Sequence, residues 1–250
     1  MIMRASGKIC VALALMVAPL ASAQASGLDD ANAAVKAARE GKYDDAIRLF
    51  TSAVNTDDLN VKGRAQAFAY RGIAKATLGD YDGAQEDLNF SVALDTEYNA
   101  DAYAFRGYIA LVTGAPQKAA VDLAKSAGLK IWAYNALWLA VARMRAGIAD
   151  NDNISLANNA MMLDFDQWPG PVVKFMMGQA KPEEVAAAAN QGDPTKLAER
   201  VCDADFYVAE YDLAHDNAAA ARPLLSRAAD KCPFASFERM GATAELKRLK

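Results

Sequence analysis

Cys202, Cys232, His215, the polar run Asp150 to Asn153 and a scatter of carboxylates are the residues of this 250-residue chain whose types could do chemistry. Three cysteines are present, and Cys10 falls in an apolar N-terminal run. That leaves Cys202 and Cys232 as an even pair, for which a disulfide is the default in an oxidising compartment and two independent thiols the alternative. His215, the one histidine, sits in a polar turn and reads as an exposed loop residue, so it implies no metal site. "DNDN" begins like a calcium loop, but Ser155 stands where such a loop needs glycine and Met161 where it needs a bidentate glutamate. There is no glycine-x-serine-x-glycine elbow, no phosphate-binding glycine loop with its lysine, no zinc-binding helix motif and no cysteine–histidine nucleophile pair. The carboxylates are expected on surfaces as solubilising groups. The expectation is a protein with no catalytic residue, metal or cofactor.

Arg4 and Lys8 precede an apolar run from Ile9 to Leu20, followed by Ala21-Ser22-Ala23. Residues 1–23 therefore read as a cleaved secretory signal peptide. The run is short for a membrane span, with an uncleaved anchor as the alternative. Cys10 lies ahead of the cleavage point, so no lipid anchor is expected, and no later segment could span a bilayer. The expected location is the periplasm. At 53% hydrophobic and 23% charged the chain can bury a large core. Its net charge of −4, about −6 without residues 1–23, gives no electrostatic footprint for nucleic acid.

The elements that must carry these residues repeat themselves. "GKYDDAIRLF" (Gly41 to Phe50), "LGDYDGAQEDL" (Leu78 to Leu88) and "GAPQKAAVDL" (Gly114 to Leu123) place Gly41, Gly79 and Gly114 in register, 38 and then 35 residues apart. This is near the period of about 34 in tetratricopeptide repeats. Phe68, Gly72, Gly79, Tyr81, Ala84 and Leu88, then Tyr103, Gly107, Gly114, Ala119 and Leu123, resemble that family's signature. Gly72 and Gly107 fall where two helices would cross closely, and a larger side chain there would cost about 1–3 kcal/mol. Gly79 and Gly114 supply a helix-ending conformation that other residues adopt poorly. The first repeat has a good second helix but an Ala-rich first one, as terminal repeats often do. Arg71-Gly72 and Arg106-Gly107 recur with Asp87 and Asp122. Either Arg106 pairs with Asp87 across the repeat boundary or these are solvated surface charges.

Beyond Lys130 the register loosens. Ile131 to Gly147 reads as a helix ending in a basic turn and glycine, with Ile154 to Leu163 as its partner. "WPGP" (Trp168 to Pro171) must break helices, and "PEEVAAAANQG" opens another on proline and two acids. A helix from Asp193-Pro194 to about Leu213 and a second from Ala218 to Lys231 form a last hairpin, capped by a helix from Ser236 onward. Ala221, Leu225 and Ala228 fit the repeat register, which brings Cys202 and Cys232 to neighbouring ends of the hairpin. Closing that loop should add about 3–4 kcal/mol in the chain-entropy model. The expected fold class is all-α, a tetratricopeptide-repeat solenoid of antiparallel helical hairpins with extra C-terminal helices. It forms one domain over 24–250, with repeats at about 27–60, 65–98 and 100–130, irregular helices over 131–195, and the hairpin and cap over 196–250.

In this repeat class the first helices line a concave groove. The expected partner-binding groove residues are Gln66, Ala69, Ile73, Asp101, Ala104, Tyr108, Leu111, Tyr134, Leu137, Val141 and Arg145, many of them apolar enough to dock a peptide or a partner helix. The alternative is that they pack against the C-terminal helices. The clamp that grips a terminal carboxylate in chaperone-binding members is missing, because Ala31 and Val35, or Ala69 and Ile73, stand at its positions.

With its leader, the "RG" repeats, "WPGP", "GDPTKLAERVCDADFYVAEYDLAHDNAAAARPLL" and "CPFASFERMGATAELKRL", the chain resembles the NlpI-type family of bacterial envelope tetratricopeptide proteins. That resemblance implies an all-helical, often homodimeric scaffold. Such a scaffold recruits a periplasmic C-terminal processing protease and brings it peptidoglycan hydrolases. The chain departs from the family in lacking a lipidated cysteine and in carrying His215, Asp216 and Asn217 where the last turn usually has glycine. Two functional readings follow: an adaptor for protease or hydrolase, or a structural assembly factor for an envelope secretion or polysaccharide system.

Overall fold

The computed structural model describes residues 26–250 apart from residues 98, 131, 150–155, 157 and 159–163. The leader assigned to residues 1–23 and most of the helix expected at Ile154 to Leu163 lie outside the described residues. Within them the chain is all-helical. It forms α1 (Gly27–Arg39), α2 (Tyr43–Val54), α3 (Val61–Thr77), α4 (Tyr81–Leu94), α5 (Ala100–Val112), α6 (Pro116–Leu129) and α7 (Ala133–Ala146). Then come α8 (Gly170–Met176), α9 (Pro182–Ala189), a short 3-10 turn (Pro194–Lys196), α10 (Leu197–Ala214), α11 (Ala218–Lys231) and α12 (Phe237–Arg248). No helix among the described residues is long and apolar enough to cross a membrane.

Short polar side chains start several of these helices. Asn60, Asp80, Asn99 and Ser236 each accept the backbone N–H three residues on, at 2.8, 2.9, 3.1 and 3.2 Å. Each such cap is worth about 1 kcal/mol. The first hairpins close through Gly41, Gly79 and Gly114 at φ +75°, +89° and +85°. The last hairpin closes through Asp216 at φ 58°, an aspartate taking the conformation that glycine supplies elsewhere.

Helices α1/α2, α3/α4 and α5/α6 pack as antiparallel pairs that stack in chain order. The close crossings fall where the glycines are. A Cβ on Gly107 would stand 2.7 Å from Leu123 Cγ, and one on Gly72 3.1 Å from the Ala84 carbonyl oxygen.

The recurring arginines pair inside their own repeats, so neither alternative offered for Arg106, a bridge to Asp87 or a solvated charge, is what the structure has. Arg71 forks onto Asp87 at 2.8 and 2.6 Å, and Arg106 onto Asp122 at 2.7 Å through both nitrogens. Both aspartates are buried rather than solvated. The remaining guanidinium nitrogen reaches back one repeat, from Arg71 to Thr51 Oγ1 at 3.0 Å and from Arg106 to Asn89 Oδ1 at 3.1 Å. The planar fork explains this, since one arginine can serve a carboxylate in its own hairpin and a neutral oxygen in the next.

The second half departs from simple stacking. Cys202 of α10 and Cys232 at the end of α11 form a disulfide with Cα atoms 5.0 Å apart, tying the ends of the last hairpin. Helix α12 then turns back onto α5, and α10 packs on α7, α8 and α9. The largest core cluster gathers around Trp138, Phe206 and Tyr207, and Leu156 joins it. Met240 of α12 belongs to a second cluster with Ala69, Leu88 and Ile109 of the middle repeats.

Because Asp216 holds a left-handed backbone that costs a non-glycine residue about 1 kcal/mol, Asp216→Gly should raise the thermal midpoint and Asp216→Val should lower it. A lower midpoint for the glycine variant would contradict this reading of the turn.

Candidate functional site

The eleven groove residues expected from sequence separate into three groups. Ala69, Ala104, Tyr108, Leu111, Leu137 and Val141 are buried, with Tyr108 at 2% exposure and Leu137 at 0%. The positions for Tyr108, Leu111, Leu137 and Val141 face the chain's own C-terminal elements rather than an open groove. Phe237, the first residue of α12, places its ring 4.7 Å from that of Tyr108 and 5.7 Å from that of Phe105. A Cβ on Gly241 would stand 2.7 Å from the Phe206 ring, so α12 and α10 meet with no room to spare. The physical reason is the run of apolar side chains on the concave sides of α5 and α7. Left in water they would forgo about 1.5–3 kcal/mol each.

Arg145 is a clasp between helices. Its guanidinium forks onto Glu210 of α10, with Nε at 2.8 Å from Oε2, and reaches Glu245 of α12 at 2.6 Å. Glu245 also pairs with Arg248. Arg248 Nη2 in turn donates to the Leu111 and Val112 carbonyls at 3.1 and 2.7 Å, the negative end of α5. Burial pushes the Glu210 carboxyl up from its ordinary range even with Arg145 beside it.

Gln66, Ile73, Asp101 and Tyr134 keep exposed or half-buried surface. Gln66 and Asp101 line a cavity of about 310 Å³ with Lys62, Tyr70, Asn99 and Phe105. Phe105 also lines a second cavity of about 300 Å³, walled by Tyr108, Trp132, Tyr134, Trp138 and Phe237, with Glu199, Cys202, Asp203 and Glu238 also facing it. The two cavities meet at Phe105.

Asp203 and Glu238 set the electrostatics of the second cavity. Asp203 Oδ2 accepts from the Tyr134 hydroxyl and from Trp168 Nε1, both at 2.8 Å. Glu238 Oε1 accepts from Trp138 Nε1 at 3.3 Å and from the Tyr207 hydroxyl at 3.4 Å. Loss of water drives the Asp203 carboxyl up to about 6. Burial and then the Asp203 charge drive Glu238 up to about 7. Burial likewise raises Tyr108, Tyr134 and Tyr207. Oxygens of the two carboxylates and the Cys202 sulfur lie within 4.8 Å of one another. That sulfur is tied up in the disulfide, so it offers no thiolate to a metal.

These carboxylates correct the expectation that acids here lie on surfaces. Asp87, Asp122, Asp203, Asp205, Glu210, Glu238 and Glu245 are all buried. In the sequence several of them stand in "ERVCDADFYVAEYDL", where acids interrupt an otherwise apolar helix. His215 is exposed as expected, with its ring 4.0 Å from that of Tyr211.

No family profile matches the chain. Among solved structures it is similar to a tetratricopeptide repeat protein from Parabacteroides merdae, at 18% identity over 86% of this chain and 84% of that one, with a TM-score of 0.49.

Removing Arg145 leaves Glu210 as a buried, unpaired charge, so Arg145→Ala should cost about 3–5 kcal/mol in denaturant unfolding. A loss below 1 kcal/mol, roughly that of an exposed pair, would contradict the clasp. Asp203 and Glu238 are raised acids, so between about pH 4 and pH 7 the folded chain holds more protons than the unfolded one. Their contribution to stability is therefore complete below pH 4 and lost as pH rises through about 6 and 7. The thermal midpoint should fall between pH 5 and pH 8, and less steeply in Asp203→Asn.

Proposed function

We propose that this chain is a non-catalytic protein-interaction scaffold of the bacterial envelope, an adaptor that recruits a C-terminal processing protease, peptidoglycan hydrolases or both. The observation that carries the reading is the stretch of concave surface that α12 leaves open, where the cavity beside Gln66, Tyr70 and Asp101 meets the aromatic one at Phe105. Tyr70 and Trp132 remain 40% and 44% exposed along it. Exposed aromatics flanked by polar groups are the usual anchors of protein interfaces. The disulfide is compatible with an oxidising compartment, and the leader-like residues 1–23 suit export. The choice of protease and hydrolase as partners comes from the resemblance of the C-terminal hairpin to NlpI-type proteins.

Affinity capture from periplasmic extract with residues 24–250 tests this, with Tyr70→Glu/Trp132→Glu as the control. The expected result is recovery of a processing protease or cell-wall hydrolase that the double variant loses. Recovery of a secretion or polysaccharide complex instead would replace the adaptor by an assembly factor, and an empty capture would overturn both.

A further inference from the structure

We propose that the aromatic cavity between α5, α7, α10 and the start of α12 receives an arginine side chain from a partner protein; the partner being a protein rests on the adaptor reading above. Rings of Phe105, Tyr108, Trp132, Tyr134 and Phe237 wall the cavity, and Asp203, Glu238 and Glu199 supply its charge. Aromatic faces and carboxylates both attract a cation, and desolvation strengthens that attraction.

Among the described residues Asp203 and Glu238 have no counter-ion, whereas Glu199 pairs with Lys196 at 3.1 Å. Among the described residues Asp203 and Glu238 are held by indole and hydroxyl donors rather than by Lys, Arg or His. Elsewhere in this chain the buried acids Asp87, Asp122, Glu210 and Asp205 each face an arginine. The donors to Asp203 both go to Oδ2. No fully buried side-chain oxygen among the described residues lacks a partner. The second oxygen of Asp203, a residue 5% exposed that lines the cavity, therefore keeps some accessible surface.

Arginine fits this site better than lysine. A guanidinium keeps its charge when desolvated, stacks on aromatic rings and forks onto carboxylates, whereas an ammonium is strongly hydrated and loses its proton more readily. The volume, about 300 Å³, lies at the small end of ligand pockets, which suits one long side chain rather than a cofactor. The rest of a partner segment would run past Phe105 into the mixed polar cavity beside Gln66 and Asp101. At the rim, Lys130 already lies 5.8 Å from the Trp132 ring centre while pairing with Asp101 at 3.0 Å.

Entry of a cation favours the ionised forms of Asp203 and Glu238, so binding releases protons and tightens as pH rises. The other groups facing these acids are the Tyr108, Tyr134 and Tyr207 hydroxyls and the Trp138 and Trp168 indoles, none of which titrates in that range.

The chain has three tryptophans, and Trp132, Trp138 and Trp168 all touch this cavity or its carboxylates, so intrinsic fluorescence reports on it directly. The probe is a blocked Gly-Gly-Arg-Gly-Gly peptide, titrated into residues 24–250 beside its neutral citrulline counterpart. We expect a saturable change with arginine, at least about tenfold weaker binding of citrulline, and tighter arginine binding at pH 8 than at pH 5.5. Asp203→Asn and the rim variant Trp132→Ala should each weaken binding, with circular dichroism confirming that both are folded. Equal binding of the arginine and citrulline peptides, or no saturable signal, would overturn the proposal. An equally tight lysine peptide would overturn the choice of arginine. Tetramethylammonium binding more tightly than the peptide would overturn the polypeptide source in favour of a small organic cation. If Asp203→Asn still captured an envelope partner while the arginine peptide failed to bind, the cavity assignment would fall and the adaptor reading would stand.

Discussion

The rest of the structure depends on the burial of α12 against the concave side of the repeats. A stack of helical hairpins leaves one helix of each pair facing inward, and here those faces carry Ala104, Tyr108, Leu111, Leu137 and Val141. Such a surface must be covered by a ligand or by the chain itself. Phe237, Met240 and Gly241 do so, and the close approach at Gly241 leaves no slack for a larger residue.

Once α12 lies there, charged groups are trapped with it. Arg145 satisfies Glu210 and Glu245 together, and Arg248 ties Glu245 to the carbonyl end of α5. Such buried pairs contribute little net stability relative to apolar packing. Their value is orientation, because shifting α12 along its axis would leave several charges unpaired at once. The same folding-back defines what remains open. Helix α12 starts at Phe237 rather than further upstream, so the aromatic cavity beneath the disulfide is bounded but not filled.

Much of the fold was legible in the sequence because repeats fix their own register. Gly72, Gly79, Gly107 and Gly114 were assigned from spacing alone, and each sits where a side chain would clash or strain. The C-terminal hairpin and its cap were legible from Cys202, Cys232, Pro233 and Ser236. Tyr108, Leu111, Leu137 and Val141 are buried, in line with the alternative that groove positions pack against the C-terminal helices. Spacing places a residue on the inner face but says nothing about what covers it. For Arg106 the sequence suggested a bridge to Asp87 or a solvated charge, and the pairing with Asp122 in its own repeat was not among those alternatives. Asp203 and Glu238 were missed for another reason. Their environment is assembled from α5, α7, α10 and α12, far apart in the chain, and no local pattern announces it.

Hydrogen exchange on the intact chain tests most directly whether α12 is an integral part of the repeat core. The account predicts that amides of α5, α7, α10 and α12 exchange as one cooperative unit with a common opening free energy, while α1 and α2, held by a separate small core, open more easily. Opening of α10 and α12 at markedly lower free energy, with α5 and α7 still protected, would contradict it and return the concave face to an outside partner.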